Sequence, residues 1–328
     1  MMASRVAITI VTYNSAHYIA GCLESALAQE YTPLEIILVD NASSDGTTDI
    51  LRRFESRARV LYNRNNVGFA AAQNQAISAA HDPDWILTLN PDVRLRPDFV
   101  RALVEAGEAA QEIGSVCGKL LAASPDFALA DPPLLDSTGI SFTPGFRHFD
   151  RGNGTPDRGQ YDTAGFVFGG TGAACLYRKT MIDNISIAGE FFDADFFAYR
   201  EDADVAWRAQ LLGWKCFYTP KAVGLHVRAV VPENRRAVPA LINMHSVKNR
   251  WLMRIKNTTA ALYRRYWLAV TLRDLVVIGG CLVQEWSSLA AFAKVWRLRK
   301  KTWRKRREIM RKRIATDEYI AAWFSGRE

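Results

Sequence analysis

The chain has 328 residues, 49% of them apolar, and a formal net charge of +8. This length can bury a sizeable core, and the composition is that of a mostly globular chain. The charge is uneven. Residues 294–313 hold twelve Lys or Arg against one Glu, a local +11, and subtracting this from +8 leaves −3 for everything else. We therefore expect a mildly acidic body with one basic tail.

Five scattered cysteines without a C-x-x-C pair argue for reduced thiols and against a disulfide framework or a zinc site. The start MMASRVAITIVTYN lacks the features of a signal peptide. The best candidate for a membrane span, Leu275 to Ala293, is interrupted by Glu285, whereas a span needs about 18–20 apolar residues. These observations favour a cytoplasmic protein without a span.

Residues 5–122 alternate between apolar runs and segments with helical spacing, which predicts a doubly wound, largely parallel α/β sheet. Ligands of such sheets lie at the carboxyl ends of the strands. The predicted strands are Val6–Val11, Leu34–Val39, Val60–Tyr62, Trp85–Leu89 and Ser115–Leu121. The predicted helices are Ser15–Gln29, Thr47–Phe54, Phe69–Ala80 and Pro97–Glu112.

The second half is less regular. Residues 123–165, rich in Pro, Gly and Asp, predict a long irregular stretch. A Gly-rich strand at Phe166–Tyr177, a helix from Glu201 and a strand at Lys215–Tyr218 follow. Residues 240–324 then favour helices in which aromatic residues stand beside arginines. The predicted domains are 1–228, a linker at 229–239, and a helical, basic extension at 240–328.

Two predicted turns carry polar side chains suited to a nucleotide. The turn from Asp40 to Thr47 offers a carboxylate for a base N–H and backbone N–H groups for a phosphate. Its Ser and Asp residues are equally consistent with ordinary helix capping. Asn66 and Gly68 open the next helix, where Gly68 permits close approach of a ligand. For the other residues of this helix entry, simple capping is the better explanation.

Acidic residues suggest a metal site and a general base. Asn90-Pro91-Asp92 ends a strand, and carboxylate, water and diphosphate oxygens suit Mg²⁺ or Mn²⁺. Three acids in Glu201-Asp202-Ala203-Asp204 exceed what helix capping requires, and crowded acids raise one another's pKa. His226 follows a strand, where imidazole is a possible metal ligand or an ordinary structural residue.

Taken together, these motifs resemble family 2 glycosyltransferases of the GT-A fold over residues 5–228. The resemblance also includes Thr9–Asn14, Asn66–Phe69, and Tyr199–Arg208 followed by Gly213-Trp214. It implies Asp202 as the catalytic base and Asp92 and His226 as ligands of Mg²⁺ or Mn²⁺. It implies a donor site at Thr12, Tyr13, Asn14, Asp40, Asn41, Asn66, Gly68, Phe69, Asn74, Asn90 and Asp92. It places the acceptor at Gly170, Thr171, Glu201 and Asp204.

One departure is Asn90, which replaces the first Asp of the family's D-x-D motif and leaves direct ligation to Asp92. The Asn-Pro-Asp form resembles the rhamnosyltransferase branch, so dTDP-L-rhamnose is the expected donor. A UDP-sugar donor or a non-catalytic sugar-nucleotide-binding protein stays open. A nucleotidyltransferase is less consistent, because Val11-Thr-Tyr-Asn-Ser is not a Gly-rich, basic loop.

The basic tail at 294–313 mixes Lys and Arg with Trp, which suits an anionic membrane surface. A lipid-diphosphate-linked or glycan acceptor would be met there, on the inner face of the cell membrane. Nucleic acid is the competing partner of a polybasic stretch, and the interleaved aromatics favour the membrane over it. A solvated basic helix and a homo-oligomer also stay open.

Overall fold

The computed structural model describes residues 3–228 and 240–325, so the predicted linker 229–239 lies outside the described residues. The strands are β1 Val6–Thr12, β2 Leu34–Asp40, β3 Arg59–Tyr62, β4 Trp85–Leu89, β5 Val93–Leu95, β6 Ile113–Ala123, β7 Leu129–Ser137, β8 Ile140–Phe142, β9 His148–Asp150, β10 Gly165–Val167, β11 Ala174–Arg178 and β12 Lys215–His226. The α-helices are α1 Ile19–Leu27, α2 Thr47–Arg52, α3 Phe69–Ala79, α4 Phe99–Glu108, α5 Lys179–Ile185, α6 Glu201–Leu211, α7 Ala240–Asn257, α8 Ala260–Val283, α9 Ala290–Lys312 and α10 Asp317–Ala322.

The central sheet has the order β10-β12-β6-β11-β4-β1-β2-β3, with β5 beside β12 and β7 beside β6. Six of the eight strands on this path run in one direction, and β10 and β11 run against them. The predicted α/β class with a mostly parallel sheet is therefore confirmed. The helical C-terminal extension is confirmed as well.

The sheet is held together by strands that are apolar on both faces. β1 and β4 are buried along their whole length, as their continuous apolar sequences predict for the middle of a parallel sheet. The register pairs Thr12 with Asp40, so the ends of β1 and β2 meet at one edge. That edge carries the polar residues singled out in the sequence.

The expected irregular stretch at 123–165 was wrong, because it contains β7, the β8–β9 hairpin and the beginning of β10. In β7, Leu134, Leu135 and Ser137 pair with β6, whereas Pro132 and Pro133 fall in an irregularity of the register. Prolines are tolerated there because the ladder does not need their missing N–H. The single strand expected at Phe166–Tyr177 is split into β10 and β11.

The C-terminal helices pack onto the sheet domain. Leu252 of α7, Ile309 of α9 and Phe324 belong to the same buried cluster as Trp207 of α6. The rings of Phe324 and Trp207 lie 5.0 Å apart. The extension therefore shares its core with the helix that opens at Glu201.

Helix α8 is long and apolar enough to cross a membrane by length and composition, with a mean hydropathy of 1.6. Only 11% of that apolar window is buried inside the protein. The candidate membrane span expected from the sequence, Leu275 to Ala293, begins later and overlaps only the end of α8. The charged residues Arg273 and Asp274 lie within the helix. Arg254 of α7 forms an ion pair with Asp274, with 2.6 Å between nitrogen and oxygen.

Candidate active site at the carboxyl edge of the sheet

Asp92 and His226 are brought together by strand pairing. Asp92 lies between β4 and β5, His226 ends β12, and β5 pairs with β12 so that His226 stands opposite Val93. His226 Nε2 lies 3.4 Å from Asp92 Oδ1, which is long for a hydrogen bond. Among the described residues, the buried Oδ1 of Asp92 has no hydrogen-bond partner. The carboxylate oxygen of Asp92 thus faces the imidazole nitrogen of His226 without a hydrogen bond of ordinary length.

A second layer of residues, which the sequence reading missed, orients His226. Its Nδ1 lies 2.7 Å from Asp136 Oδ2. Arg228 donates to Asp136 over 2.8 Å and to Asp150 over 2.6 Å. Asp136 and Asp150 lie on β7 and β9, in the stretch read as irregular, so no strand pattern marked them.

These contacts set the protonation of the pair. Burial disfavours a charged His226, but the hydrogen bond to Asp136 and the negative charges of Asp136 and Asp92 outweigh it and raise the pKa of His226 to about 10. Burial also disfavours the Asp136 carboxylate, and His226 and Arg228 outweigh it and lower the pKa of Asp136 to about 2. Without a metal, His226 therefore keeps its second proton at neutral pH, and its positive charge lies between the carboxylates of Asp136 and Asp92.

The same arrangement fits a divalent metal. Asp136 fixes Nδ1 of His226 as the donor nitrogen, which leaves Nε2 for a cation, and metal-bound histidines are commonly held in this way. Within residues 3–228 and 240–325, no three His, Cys, Asp or Glu side chains form a metal-binding group. Asp92 and His226 could supply two ligands, and diphosphate and water oxygens would complete the shell.

Asp202 stands at the start of α6 with its carboxylate held by backbone groups. Oδ2 accepts from the N–H of Gly172 over 3.0 Å, and Oδ1 accepts from Ala203 over 2.7 Å. Burial is the main cause that raises the pKa of Asp202, and the nearby Asp150 carboxylate adds to it. A carboxylate with a raised pKa at a fixed orientation is suited to accepting a proton.

The glycine-rich segment before β11 packs against α6. A Cβ on Gly169 would collide with Ala206, and a Cβ on Gly170 would collide with Cys175 and approach Cys117 to 3.0 Å. Gly170 is therefore explained by packing, and the acceptor contact predicted for it stays a prediction. Thr171 is buried, with 7% exposed. The missed residue is Gly172, whose N–H reaches Asp202.

The other two acids of α6 are buried. Asp204 is fully buried, pairs with Arg208 and Lys256 at 2.9 Å each, and accepts from Asn257 over 2.8 Å. This burial disagrees with the acceptor contact predicted for Asp204, although the predicted pair with Arg208 forms. Burial raises the pKa of Glu201 to about 8, with Asp202 adding to the shift.

The predicted nucleotide turn is held by its own side chains. Thr12 Oγ1 donates to Asp40 Oδ1 over 3.0 Å, and Asp40 Oδ2 accepts from the N–H of Ser43 over 3.2 Å. Asn14 Oδ1 accepts from the N–H of Ser44 over 2.8 Å. Tyr13 is 52% exposed beside them, as a ring that stacks on a base requires. These side chains lie at the carboxyl edge of β1 and β2.

The entry to α3 joins this turn. Asn41 donates to Asn66 Oδ1 over 2.8 Å, and Asn66 Oδ1 also accepts from the N–H of Gly68 over 2.9 Å. Phe69 packs edge-on against Phe192.

Two further residues predicted for the donor site, Asn74 and Asn90, form hydrogen bonds with the backbone of the protein. Asn74 exchanges hydrogen bonds of 2.7 and 2.9 Å with the backbone of Phe192, so its amide is used inside the protein. Asn90 is anchored by its backbone N–H, which donates to Ala173 O over 2.8 Å. Its partly buried side chain lies next to Pro91-Asp92.

Comparisons with known proteins point to one family. The family model described as glycosyl transferase family 2 matches residues 7–185. The chain is 27% identical over 255 residues to the N-acetylglucosaminyl-diphospho-decaprenol L-rhamnosyltransferase of Mycobacterium tuberculosis, covering 70% of this chain and 78% of that protein. It is 37% identical over 106 residues to the succinoglycan biosynthesis protein ExoO of Rhizobium meliloti, a match covering 32% of this chain and 30% of that protein.

The fold has solved counterparts. The mannosyltransferase PcManGT from Pyrobaculum calidifontis, in complex with GDP-Man and Mn²⁺, superposes with a TM-score of 0.53. The alignment covers 95% of this chain and 86% of that one at 18% identity. The likeness confirms the GT-A fold expected from the sequence.

Proposed function

Because the chain belongs to glycosyl transferase family 2, we propose that it is a metal-dependent, inverting glycosyltransferase of cell-envelope glycan assembly. The observation that carries the proposal is the pair Asp92 and His226, with an unpartnered carboxylate oxygen, next to the network that reaches Asp202. Asp150 connects them, because it pairs with Arg228 of that network and acts on the pKa of Asp202. A protein that only binds sugar nucleotides has no need of this base.

The reaction is a single displacement at the anomeric carbon. The acceptor oxygen forms the new bond as the bond from that carbon to the diphosphate oxygen breaks, and Asp202 accepts the acceptor's hydroxyl proton. Asp92 and His226 would hold a divalent ion, which when bound would offset the negative charge of the departing diphosphate. The Gly172 N–H keeps the carboxylate of Asp202 in one orientation throughout.

The proposed donor is dTDP-L-rhamnose, with a UDP-sugar such as a galactofuranose, hexose or N-acetylhexosamine donor as the second candidate. The Asn90-Pro91-Asp92 motif and the likeness to a mycobacterial L-rhamnosyltransferase support the first. That relative is named for a diphospho-decaprenol acceptor, which supports a lipid-diphosphate-linked acceptor here. A glycan acceptor is the alternative.

The proposed location is cytoplasmic, with the protein bound peripherally to the inner face of the cell membrane. Helix α9 supports this, because one of its faces is exposed and rich in basic and aromatic residues. These residues are Trp296, Lys300, Trp303, Arg304, Arg307 and Arg311. The outward side of α8 adds exposed apolar residues such as Leu272 and Val276, whereas Asp274 ties that helix to α7. A peripheral position, with α8 lying on the bilayer surface, accounts for both observations.

A transfer assay tests the proposal. The purified chain is incubated with Mn²⁺, synthetic polyprenyl-diphosphate-linked N-acetylglucosamine and one of dTDP-L-rhamnose, UDP-galactofuranose or UDP-N-acetylglucosamine. We expect nucleoside diphosphate release and a longer lipid-linked product with the rhamnose donor. Turnover with a UDP-sugar and none with dTDP-L-rhamnose would favour the second candidate donor over the first. Nucleotide binding without turnover of any donor would favour the non-catalytic alternative.

A further inference from the structure

The segment leading into α6 has an unusual backbone. Phe197, Tyr199 and Arg200 all have positive φ angles, of 69°, 71° and 71°. Bulky residues take this conformation only where their surroundings hold it. Asp202, the proposed base, follows Arg200 by two positions.

Asn249 of α7 holds the middle of this segment. Its side chain is fully buried, and its Nδ2 lies 2.9, 2.8 and 2.8 Å from the carbonyl oxygens of Phe196, Ala198 and Tyr199. One side chain thus gathers three carbonyl groups of a strained turn. Arg200 is fixed by the same helix, because its Nε donates to Ser246 O over 3.0 Å.

Lys248 and His245 add two further contacts from α7. The ammonium of Lys248 donates to the carbonyl of Asp195 and lies 3.4 Å from that of Phe196. Burial, together with the charge of Lys294, lowers the pKa of Lys248 to about 8. His245 stacks on the ring of Phe197 with centroids 4.8 Å apart.

The start of the segment is held by ion pairs. Asp193 lies 2.5 Å from both Lys256 of α7 and Lys305 of α9. Asp195 pairs with Lys305 at 2.8 Å and with Lys301 at 2.7 Å. Two lysines of the basic tail thus pair with this segment, and of these Lys305 is buried.

The opposite side of the segment lies against the predicted donor site. The N–H of Ala70 donates to Phe197 O over 3.1 Å. A Cβ on Gly68 would stand 2.5 Å from the Phe197 ring. Residues 193–200 therefore lie between the entry of α3 and the C-terminal helices, directly before the proposed base.

We propose that α7 and α9 position Asp202, with Lys248, Asn249 and Lys305 as positioning residues that act through segment 193–200. The proposal rests on the proposed function. It makes the C-terminal helices part of the catalytic apparatus in addition to their proposed role at the membrane. Their inward-facing polar side chains fix the turn, and the turn fixes where α6 begins.

The test compares Lys248→Met with Lys221→Met, which replaces an exposed lysine on β12. Methionine keeps much of the side-chain length and removes a buried ammonium that no carboxylate contacts among the described residues. We expect Lys248→Met to keep its melting temperature and donor KM while kcat falls by about 100-fold, the size of a misplacement near 1 Å. Lys221→Met should behave as wild type. Normal kcat in Lys248→Met, or equal losses in kcat and nucleotide affinity, would overturn the proposal.

A second readout does not depend on activity. Amide hydrogen exchange of residues 193–202 should accelerate in Lys248→Met and Asn249→Ala and stay unchanged in Lys221→Met. Unchanged exchange in both variants would overturn the positioning role even if the protein is a transferase. A wild-type chain that transfers no sugar, with faster exchange in the variants, would contradict the proposed function and keep the positioning role.

Discussion

Gly172 donates its backbone N–H to Oδ2 of Asp202 over 3.0 Å, so the segment before β11 and the start of α6 meet at the proposed base. A Cβ on Gly172 would lie 3.3 Å from the Cβ of Asp202. The contact leaves little room for a side chain at position 172. It fixes one oxygen of the carboxylate and so determines which way the other one points.

Asp202→Asn should abolish most transfer and keep nucleotide binding, because the amide keeps the shape and cannot accept the proton. We expect kcat to fall by about 10²–10⁴-fold. Turnover and calorimetric nucleotide affinity are measured on the same preparation. Near-normal kcat in this variant would show that another group is the base.

The pH profile of the wild type gives a second measure of Asp202. Burial, followed by the charge of Asp150, raises the pKa of Asp202 above its ordinary value of 3.8. Because the base must be deprotonated, the rate should fall as pH drops through this raised pKa. We expect an acidic limb of kcat above the range of an ordinary Asp, absent from the residual rate of Asp202→Asn. A limb at the ordinary value would contradict the effect of burial.

Asp136→Asn should weaken metal binding. Asp136 accepts from His226 Nδ1 and thereby orients Nε2. Loss of such a partner typically costs 10–100-fold in metal affinity. Mn²⁺ is titrated against the protein in saturating nucleotide, with the exposed Asp49→Asn on α2 as the control. Equal Mn²⁺ affinities in the two variants would show that Asp136 has no role in metal binding.

Glu201→Gln should stabilise the protein at alkaline pH. Burial, followed by the charge of Asp202, raises the pKa of Glu201 from 4.5 to about 8. The folded state then holds the proton more tightly than the unfolded state, so this group costs stability as pH rises from about 4.5 to about 8. Gln removes that cost, with a gain on the order of a few kcal/mol above pH 8 and little at pH 4.5. Urea unfolding at both pH values measures it, and equal gains would contradict the assignment.

Charge reversal on α9 should release the protein from anionic vesicles. Arg304 and Arg307 are exposed on the face proposed to meet the membrane, where each cation contributes about 1 kcal/mol. The double variant Arg304→Glu/Arg307→Glu should bind phosphatidylglycerol vesicles at least about 10-fold more weakly in flotation. Arg53→Glu/Lys221→Glu makes the same change in net charge elsewhere on the surface. An equal loss of vesicle binding in both double variants would show that net charge, and not the face of α9, determines binding.

The strands of the sheet and the polar residues at their ends could be predicted from local patterns in the sequence. Continuous apolar runs mark β1, β2 and β4, and the polar residue following each run falls at the carboxyl edge, which is why Asp40 and Asp92 were found. His226 was named as a metal ligand through the family resemblance, because a lone histidine at a strand end is by itself equally an ordinary structural residue. Strand ends could be predicted because they follow from periodicity within about ten residues.

Long-range contacts were beyond that reasoning. Asp136 meets His226 across 90 positions of the chain, and Asn249 meets Tyr199 across 50. No local pattern in the sequence links the two residues of either pair. The three acids within residues 201–204 share one sequence signal, which does not distinguish Asp204, although the helix turns Asp204 toward Arg208 and Lys256 inside the protein.

The proposed function requires that Asp92 and His226 hold a metal against the diphosphate of a sugar nucleotide. The most direct measurement is calorimetric titration of dTDP and UDP into the wild type and into Asp92→Asn, each with Mn²⁺ and with EDTA. We expect Mn²⁺ to tighten nucleotide binding to the wild type at least about 10-fold, and Asp92→Asn to lose this gain. Equal affinity of the wild type for both nucleotides with Mn²⁺ and with EDTA would contradict it.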